Sequence, residues 1–426
     1  MQTCYEQLTA GGFDNALAML YGKAAVPAQR ERYARAVASF TDMFGKRDRV
    51  WLLSAPGRTE LGGNHTDHNH GLALAGAVDM DIIAAAAPSG GNQVRVHSEG
   101  FPTMTVSLDT REVDPAERGK STALIRGMAA GMQALGLPIG GFDMVTDSTV
   151  PKGAGLSSSA AFELLIGTAF DHLFGDGKLP PVTLARIAQH AENAYFGKPS
   201  GLLDQLGCAV GGAIEIDFAD PSEPQVQAFP FQPADHGYRL CIVNTRGDHA
   251  NLTDDYAAVT REMRAVSRSL KVKFLRETSR EAVLAHLPML RRRHGDRAVL
   301  RALHFFDENE RVKAQAAALK ADDFEAFRRL VAQSGRSSFE FLQNVYSVRH
   351  PKQQGLPLAL YLAQSLLGDE GAWRVHGGGF AGTTQNYVPI DRMPAFRKAM
   401  EAAFGEGCCY EMNLRPVGGV QVNMEK

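Results

Sequence analysis

The sequence predicts an α+β fold in two domains, because strand-like and helix-like patterns alternate irregularly along a long chain. The chain has 426 residues, of which 44% are hydrophobic, and this length is more than one hydrophobic core usually holds. Alternation of apolar and polar residues indicates hairpin strands near residues 50–53 and 79–84. Apolar residues at helical spacing indicate helices near residues 122–136, 183–196, 254–270 and 309–332.

Proline-rich segments predict where the two domains meet. Residues 220–224 and residues 229–233 each contain two prolines, and such clusters are typical of loops between folded units. The first 30 residues carry no recognised functional motif. The predicted units are an accessory helical extension, an N-terminal domain and a C-terminal domain, at residues 1–30, 31–225 and 226–426.

Composition excludes several classes of partner. The formal net charge of -2 gives no concentrated basic field, so we expect no nucleic-acid partner. No apolar run approaches the roughly 20 residues that cross a bilayer, and the first residues lack the order of a signal peptide. We therefore expect no membrane partner and a cytoplasmic location. The five cysteines have no Cys-x-x-Cys spacing and are expected to be reduced thiols. The expected assembly is a monomer or a small homo-oligomer.

Residues 151–161, Pro-Lys-Gly-Ala-Gly-Leu-Ser-Ser-Ser-Ala-Ala, predict a phosphate-binding turn between a strand and a helix. Residues 142–150 are rich in β-forming side chains, and helical spacing follows the turn as far as Gly175. The free N–H groups and the dipole at a helix start stabilise an anion, which glycine allows to approach the backbone. A glycine-rich turn with a serine N-cap is the alternative. The predicted phosphate-binding residues are Pro151, Gly153, Ala154, Gly155, Leu156, Ser157, Ser158, Ser159 and Ala160.

A second polar cluster occupies residues 55–71, Ala-Pro-Gly-Arg-Thr-Glu-Leu-Gly-Gly-Asn-His-Thr-Asp-His-Asn-His-Gly. It combines one arginine, three histidines, one aspartate and two asparagines with four glycines. This hydrogen-bonding capacity exceeds what a loop needs for its own backbone, so a polar ligand is predicted here. Three imidazoles and a carboxylate are also good transition-metal ligands, so a metal site is the alternative.

These segments resemble the motifs of the galactokinases, a family of the GHMP kinase superfamily. Residues 57–71 resemble the first motif, Gly-Arg-x-Asn-Leu-Ile-Gly-Glu-His-Thr-Asp-Tyr-Asn-x-Gly, and residues 151–161 resemble the second. Residues 200–205, Ser-Gly-Leu-Leu-Asp-Gln, are similar to Cys-Gly-Ile-Met-Asp-Gln, and residues 376–382 are similar to the third motif. The resemblance implies a mixed sheet in the N-terminal domain, helices on an antiparallel sheet in the C-terminal domain, and an active site in the cleft between them.

The resemblance also implies a kinase that uses ATP and Mg²⁺ to phosphorylate a small-molecule sugar at C1. Asp204, a carboxylate in an apolar segment, would be the catalytic base, and Arg58 would hold it ionised. A helix cap for residues 205–210 and a structural salt bridge are the alternative roles of these two residues. The resemblance assigns Mg²⁺ to Ser159 and Glu192. It assigns the sugar to Asn64, His65, Asp67, Gly201 and Tyr256.

Two departures from the first family motif bear on the choice of substrate. Asn64 stands in place of a glutamate, and His68 stands in place of a tyrosine. In galactokinases that glutamate recognises the C6 hydroxyl, so a neutral amide predicts weak discrimination at C6, or a preference for a C6 carboxylate as in galacturonate. The predicted function is a sugar 1-kinase, with galactokinase as the leading interpretation and galacturonokinase as an alternative. A non-catalytic sugar sensor is a further alternative, against which the intact Arg58 and Asp204 count.

Overall fold

The structure is a computed structural model that describes residues 3–151, 153–247 and 252–423. The remaining positions, which lie in the predicted extension, the phosphate-binding turn and the C-terminal domain, are outside the described residues. The helices are α1 (Cys4–Thr9), α2 (Asp14–Tyr21), α3 (Val26–Phe44), α4 (Ser121–Ala134), α5 (Ser158–Phe174), α6 (Pro181–His190), α7 (Leu203–Val210), α8 (Thr253–Ser269), α9 (Arg280–Ala285), α10 (Leu287–His294), α11 (Asp296–Lys320), α12 (Phe324–Ser337), α13 (Gly355–Leu367) and α14 (Met393–Phe404). The strands are β1 (Trp51–Gly62), β2 (Leu72–Pro88), β3 (Gln93–Ser98), β4 (Met104–Ser107), β5 (Phe142–Ser148), β6 (Ala213–Asp217), β7 (Gln225–Phe229), β8 (Tyr238–Asn244), β9 (Ala372–His376), β10 (Thr383–Pro389), β11 (Cys409–Met412) and β12 (Val420–Gln421).

The larger sheet is mixed, and most of its strands come from the first half of the chain. Its strands have the order β12-β1-β2-β5-β3-β4, and β6 pairs with the start of β2 and with β7. Strands β3 and β5 are parallel, whereas β1, β2 and β5 are antiparallel neighbours. Successive residues of β2 alternate between two cores, because side chains on a strand point to opposite faces. Ala84 and Ala86 pack with α4–α7, and Ile83 and Ala85 pack with α1–α3.

The smaller sheet is antiparallel and lies in the second half of the chain, with the strand order β11-β8-β10-β9. Val243 of β8 packs under α13 and α14 on one face. Leu240 and Ile242 face the other side, toward Phe324 and Phe327 of α12. Each face of this sheet is therefore covered by helices.

The predicted α+β architecture is confirmed, with a mixed sheet followed by helices on an antiparallel sheet. The single helix predicted for residues 309–332 is wrong, because α11 ends at Lys320 and α12 begins only at Phe324. Asp322 between them has φ +59°, which a right-handed helix cannot accommodate, and the Asp323 carboxylate caps α12. The strands predicted near residues 50–53 and 79–84 belong to the long hairpin β1–β2.

The domain ranges stay a prediction, but two elements bear on where a boundary can fall. Helix α3 runs continuously across residue 30, so an unbroken helix joins the accessory extension to the N-terminal domain. Strand β7 pairs with β6 of the larger sheet, and β12 pairs with β1. The larger sheet therefore includes segments from both sides of residue 226.

The cysteines and the helix lengths bear on two further expectations. All five cysteines are free thiols, as expected. Across the three described ranges, no helix is both long enough and apolar enough to span a bilayer.

A buried carboxylate ties the N-terminal helices and the C-terminal segment to the larger sheet. Asp81 of β2 accepts hydrogen bonds from the Tyr21 hydroxyl at 2.5 Å and from the Ser54 hydroxyl. It also accepts from Arg32 Nη1 at 2.7 Å and from Arg415 Nη1 at 3.1 Å. The partners lie on α2, β1, α3 and the segment before β12, so one fully buried side chain joins four parts of the chain.

We predict that Asp81→Ala lowers the free energy of unfolding by about 3–5 kcal/mol, because it leaves two buried guanidinium groups without their carboxylate. Chemical denaturation measures this loss. The matched control is Asp147→Ala, which removes a 26% exposed carboxylate bonded to Arg32 at 3.2 Å and should cost no more than about 1 kcal/mol. Equal effects of the two substitutions would contradict the central role of Asp81.

Candidate active site

The phosphate-binding turn follows β5 and leads into α5. Gly153, Gly155 and Ser157 have φ values of +73°, +70° and +57°, so the backbone passes repeatedly through the left-handed region. Ser157 occupies the N-cap position, yet its side chain makes no capping hydrogen bond. The turn therefore leaves the first N–H groups of α5 without a side-chain cap, which is the arrangement expected at an anion site.

Arg58 and Asp204 lie together at this turn, although 146 residues separate them. Arg58 donates from Nε at 2.9 Å and from Nη2 at 2.5 Å to one carboxylate oxygen of Asp204. The Ser157 hydroxyl donates to the other oxygen at 2.5 Å. Arg58 Nη1 also donates to the carbonyl of Gly155 at 2.5 Å, and its backbone N–H donates to the Leu156 carbonyl at 3.1 Å. One arginine thus positions both the carboxylate and the turn.

The surroundings of Asp204 favour its ionised form. Burial alone would raise the pKa of Asp204, but the Arg58 guanidinium and the Ser157 hydroxyl outweigh burial and lower it. Asp204 lies in the first turn of α7, and its oxygens bind these side chains rather than a free backbone N–H. The geometry gives no support to the alternative in which Asp204 caps a helix. The carboxylate is 29% exposed and therefore remains accessible from outside the protein.

A second group of polar side chains surrounds Glu192 beside α5. The Ser159 hydroxyl donates to Glu192 Oε1 at 3.1 Å, and Lys198 Nζ lies 2.8 Å from the same oxygen. Glu192 Oε2 accepts from the Ser200 hydroxyl at 2.5 Å and from Gln205 Nε2 at 3.0 Å. The structure therefore brings together the two predicted magnesium ligands. Sequence reasoning missed Lys198, for which the only signal is a basic residue just before residues 200–205.

Glu163 adds a second acid to this group. It lies one helical turn after Ser159 on α5, is fully buried, and accepts a hydrogen bond from Gln205 Nε2 at 3.1 Å. Its other oxygen has no hydrogen-bond partner. Burial, followed by the nearby Glu192 carboxylate, raises the pKa of Glu163 well above its usual value. A protonated Glu163 adds no second negative charge beside Glu192.

Four of the predicted sugar-binding residues lie against each other or against the third motif. His65 Nε2 lies 2.9 Å from the Gly378 carbonyl, and the Tyr256 hydroxyl donates to the Gly379 carbonyl at 2.8 Å. A Cβ at Gly201 would lie 2.5 Å from an oxygen of Asp67, so glycine is required for this close approach. Burial is the main cause that lowers the pKa of His65 to about 4, and the ring is neutral at neutral pH.

The three histidines of the polar cluster do not converge on one point. His65 contacts the third motif, His68 Nε2 lies 3.5 Å from Asp67, and the His70 ring stacks on Phe274 with a centroid distance of 3.6 Å. In the parts of the chain that the structure describes, no group of three His, Cys, Asp or Glu side chains could hold a metal ion. The geometry therefore gives the transition-metal alternative no support.

The geometry gives no support to the predicted contact between Asn64 and the sugar. Asn64 is fully buried, and its amide nitrogen donates to Glu60 at 3.1 Å and to the Gly377 carbonyl at 2.8 Å. Its amide oxygen accepts from Ser338 at 3.2 Å and from Asn344 at 2.8 Å. All the hydrogen-bonding capacity of this amide is used within the protein, so nothing remains for a C6 substituent.

Glu60 explains the departure at Asn64. The family motif has an amide at the position of Glu60 and an acid at the position of Asn64, so this chain has the two functional groups exchanged. The Glu60 carboxylate accepts from Asn64 and from Arg374 Nη2 at 2.5 Å, and Arg374 is fully buried. The exchanged pair therefore belongs to a buried polar network that joins β1 to β9.

Two family descriptions match the chain where these side chains lie. The description "GHMP kinases N terminal domain" matches residues 123–212, which include the phosphate-binding turn, Glu192 and Asp204. The description "Galactokinase galactose-binding signature" matches residues 38–88, which include Arg58. The fold and this site define a GHMP-type kinase, a phosphotransferase with an alcohol group as acceptor.

The relatives narrow this class to one family. The galactokinase of Streptomyces coelicolor is 32% identical over 371 residues, covering 86% of this chain and 91% of that protein. The galactokinase of Lactococcus lactis subsp. cremoris is 30% identical over 376 residues, covering 86% and 90%. The crystal structure of Lactococcus lactis galactokinase complexed with galactose matches with a TM-score of 0.78 at 26% identity, covering 92% of this chain and 100% of that chain. The chain belongs to the galactokinase family.

We predict that Gly155→Val raises KM for ATP more than KM for the sugar. A β-branched residue is strained at φ +70°, and a Cβ there would lie 3.2 Å from the His376 ring, which displaces the turn. Gly136→Val is the matched control, because Gly136 has φ +72° but open space around it. Steady-state kinetics with each substrate varied will show whether ATP dependence changes only in the first variant. An unchanged KM for ATP would indicate that the phosphates of ATP do not bind at this turn.

We predict that Asn64→Asp destabilises the fold, by about 3–5 kcal/mol, rather than changing the preference for the C6 group. The substitution removes two donated hydrogen bonds and adds a charge beside Glu60. Adding Glu60→Gln restores an amide and acid pair, and the double variant should recover about 1–3 kcal/mol in chemical denaturation. A stable Asn64→Asp protein with an altered ratio of kcat/KM for galactose and galacturonate would contradict the buried role.

Proposed function

We propose that this protein is an ATP-dependent galactokinase that phosphorylates galactose at C1. The observation that carries the proposal is the position of the Asp204 carboxylate, which Arg58 holds beside the phosphate-binding turn. Membership of the galactokinase family and the galactose complex of the Lactococcus lactis relative support galactose as the acceptor. The cytoplasmic location and the oligomeric state stay predictions.

In the proposed reaction, the C1 hydroxyl oxygen of the sugar forms a bond to the γ-phosphorus of ATP. The bond between this phosphorus and the bridging oxygen breaks, and its electron pair leaves with ADP. Asp204 accepts the hydroxyl proton and later releases it to solvent. The Ser157 hydroxyl donates a hydrogen bond to Asp204 at 2.5 Å. This carboxylate oxygen is therefore oriented to accept a hydrogen bond from a hydroxyl group. The low pKa of Asp204 keeps it ionised and available at neutral pH.

Arg58 has two tasks in this proposal. Its ion pair keeps Asp204 ionised and fixes the direction of the carboxylate, and its bond to the Gly155 carbonyl fixes the turn relative to the base. A guanidinium so close to the turn also offsets the negative charge that spreads over the transferring phosphoryl group. Alignment and charge neutralisation are the main contributions that a protein makes to phosphoryl transfer.

Magnesium belongs to the proposed reaction, with Ser159 and Glu192 as its protein ligands. A carboxylate and a hydroxyl supply oxygen atoms, which Mg²⁺ prefers. Ser159 is in the first turn of α5, and Glu192, which follows α6, lies 3.1 Å from its hydroxyl. The bound ion would neutralise phosphate charge. Few protein ligands are expected, because Mg²⁺ usually completes its coordination with phosphate oxygens and water.

The proposed sugar contacts come from His65, Asp67, Gly201 and Tyr256. Asp67 is an acceptor for sugar hydroxyls, and the neutral His65 ring, whose Nε2–H donates to the Gly378 carbonyl, offers Nδ1 as a further acceptor. Gly201 leaves room beside Asp67, and Tyr256 packs on Gly378 of the third motif. Since the Asn64 amide is fully used inside the protein, it gives no reason to prefer galacturonate over galactose.

We predict that Asp204→Asn lowers kcat by about 10²- to 10⁴-fold, because an amide of nearly the same shape cannot accept the proton. Galactose binding, measured by calorimetry, should stay within about threefold, since the sugar contacts remain. The assay follows ADP release with galactose, galacturonate and arabinose as acceptors. Asp67→Asn is the comparison, because it should weaken sugar binding more than it lowers kcat.

If the Asp204→Asn variant turned over within threefold of the wild type, Asp204 would not be the catalytic base. Sugar binding without ADP release in the wild type would favour the sugar sensor instead. Thermal unfolding of each variant tests whether the loss of activity comes from the site or from the fold.

A further inference from the structure

Glu192 has no free lone pair in this structure. A carboxylate can accept about four hydrogen bonds, two at each oxygen. Oε1 accepts from Ser159 and Lys198, and Oε2 accepts from Ser200 and Gln205. A metal ion can bind this carboxylate only if one of these four donors leaves.

Lys198 is the donor that can leave most easily. The Glu192 side chain is 2% exposed, whereas the Lys198 side chain is 53% exposed and reaches the carboxylate from solvent. Gln205 is fully buried, and it is fixed by a further bond to Glu163. Lysine is also the only one of the four donors with a positive charge, so a cation approaching Glu192 repels Lys198 and not the others.

The phosphate-binding turn lies within reach of the displaced ammonium group. The oxygen that Lys198 contacts also accepts from Ser159, which is in the first turn of α5. The charge of Lys198 acts on Asp204 as well, where it helps to lower the pKa of the catalytic carboxylate. Lys198 therefore contacts the proposed metal ligand beside the start of α5, and its charge is felt at the proposed base. A triphosphate bound at α5 would present the nearest new negative charge.

We propose that Lys198 is a mobile phosphate-binding residue of this kinase. While no metal is bound, its ammonium group pairs with Glu192. When Glu192 binds the metal, the Lys198 side chain moves and its ammonium group pairs with the phosphates of the nucleotide. This inference rests on the proposed function and extends it by one residue that contacts the substrate ATP. A lysine on a flexible stem suits this exchange, because its ammonium group is a compact charge that can move between partners.

The exchange predicts that one substitution strengthens metal binding and weakens nucleotide binding. Lys198→Met removes the competitor for Glu192, so Mn²⁺ alone, used as a probe for the metal site, should bind about five- to tenfold more tightly. The same variant loses a cation at the phosphates, so kcat should fall by about 10²-fold and ADP should bind more weakly. A purely structural lysine would weaken metal binding and nucleotide binding together.

Mn²⁺ binding is measured by electron paramagnetic resonance without nucleotide, and ADP binding by calorimetry with Mg²⁺ present. Lys178→Met is the matched control, because Lys178 pairs with Asp176 at 3.2 Å on an exposed surface, and it should leave all three quantities unchanged. Lys198→Arg retains the charge and should recover part of kcat. Calorimetric binding of galactose tests whether Lys198→Met remains folded.

Tighter Mn²⁺ binding together with weaker ADP binding would support the exchange. Unchanged or weaker Mn²⁺ binding in Lys198→Met would overturn it, and so would unchanged ADP affinity. The measurements of Mn²⁺ binding and of ADP binding do not depend on the sugar. If the wild type phosphorylates no sugar, the proposed function fails, while the binding measurements still decide the role of Lys198.

Discussion

The site depends on the side chain of Arg58, which joins three separate parts of the chain. Arg58 lies on β1, its guanidinium binds Asp204 of α7, and both its side chain and its backbone bind the phosphate-binding turn. A guanidinium can do this because its donors are rigid, planar and always charged. Without this fork, the Asp204 carboxylate and the turn would each depend on a different element. With it, the carboxylate and the turn are fixed relative to one another, which catalysis by alignment requires.

The third motif connects the second half of the chain to this frame through its backbone. The carbonyls of Gly377, Gly378 and Gly379 contact Asn64, His65 and Tyr256 in order. At Gly379 a Cβ would collide with the Asn344 carbonyl, and φ is +83°, so only glycine can follow this path. The glycines therefore have different tasks in the two turns. The phosphate-binding turn leaves N–H groups free for an anion, whereas the third motif presents carbonyls to side chains of the sugar region.

The sequence predicted the parts of the site that depend on local patterns. Glycines and serines between a strand and a helix indicated the phosphate-binding turn, and the turn has the expected place between β5 and α5. The pairing of Arg58 with Asp204 came from the family resemblance, because no local pattern joins residues so far apart. The interruption at Asp322 was visible as two adjacent aspartates, which favour a helix end, but helical spacing on both sides concealed it. The burial of Asn64 could not be predicted, because its partners Ser338 and Asn344 lie more than 270 residues away.

Three ion pairs of the site differ in exposure, and this difference indicates what each pair can do. The Arg374 and Glu60 side chains are 0% and 10% exposed, so separating them would leave a charge in the protein interior. The Arg58 and Asp204 side chains are 9% and 29% exposed, which keeps the pair fixed but lets a substrate reach the carboxylate. For Lys198 and Glu192 the values are 53% and 2%, so the lysine can reach water or phosphate, whereas the buried acid needs another cation in its place. The exposed lysine is therefore the member of these pairs that can respond to the arrival of a charged ligand, while the other two pairs hold the geometry in which that ligand reacts.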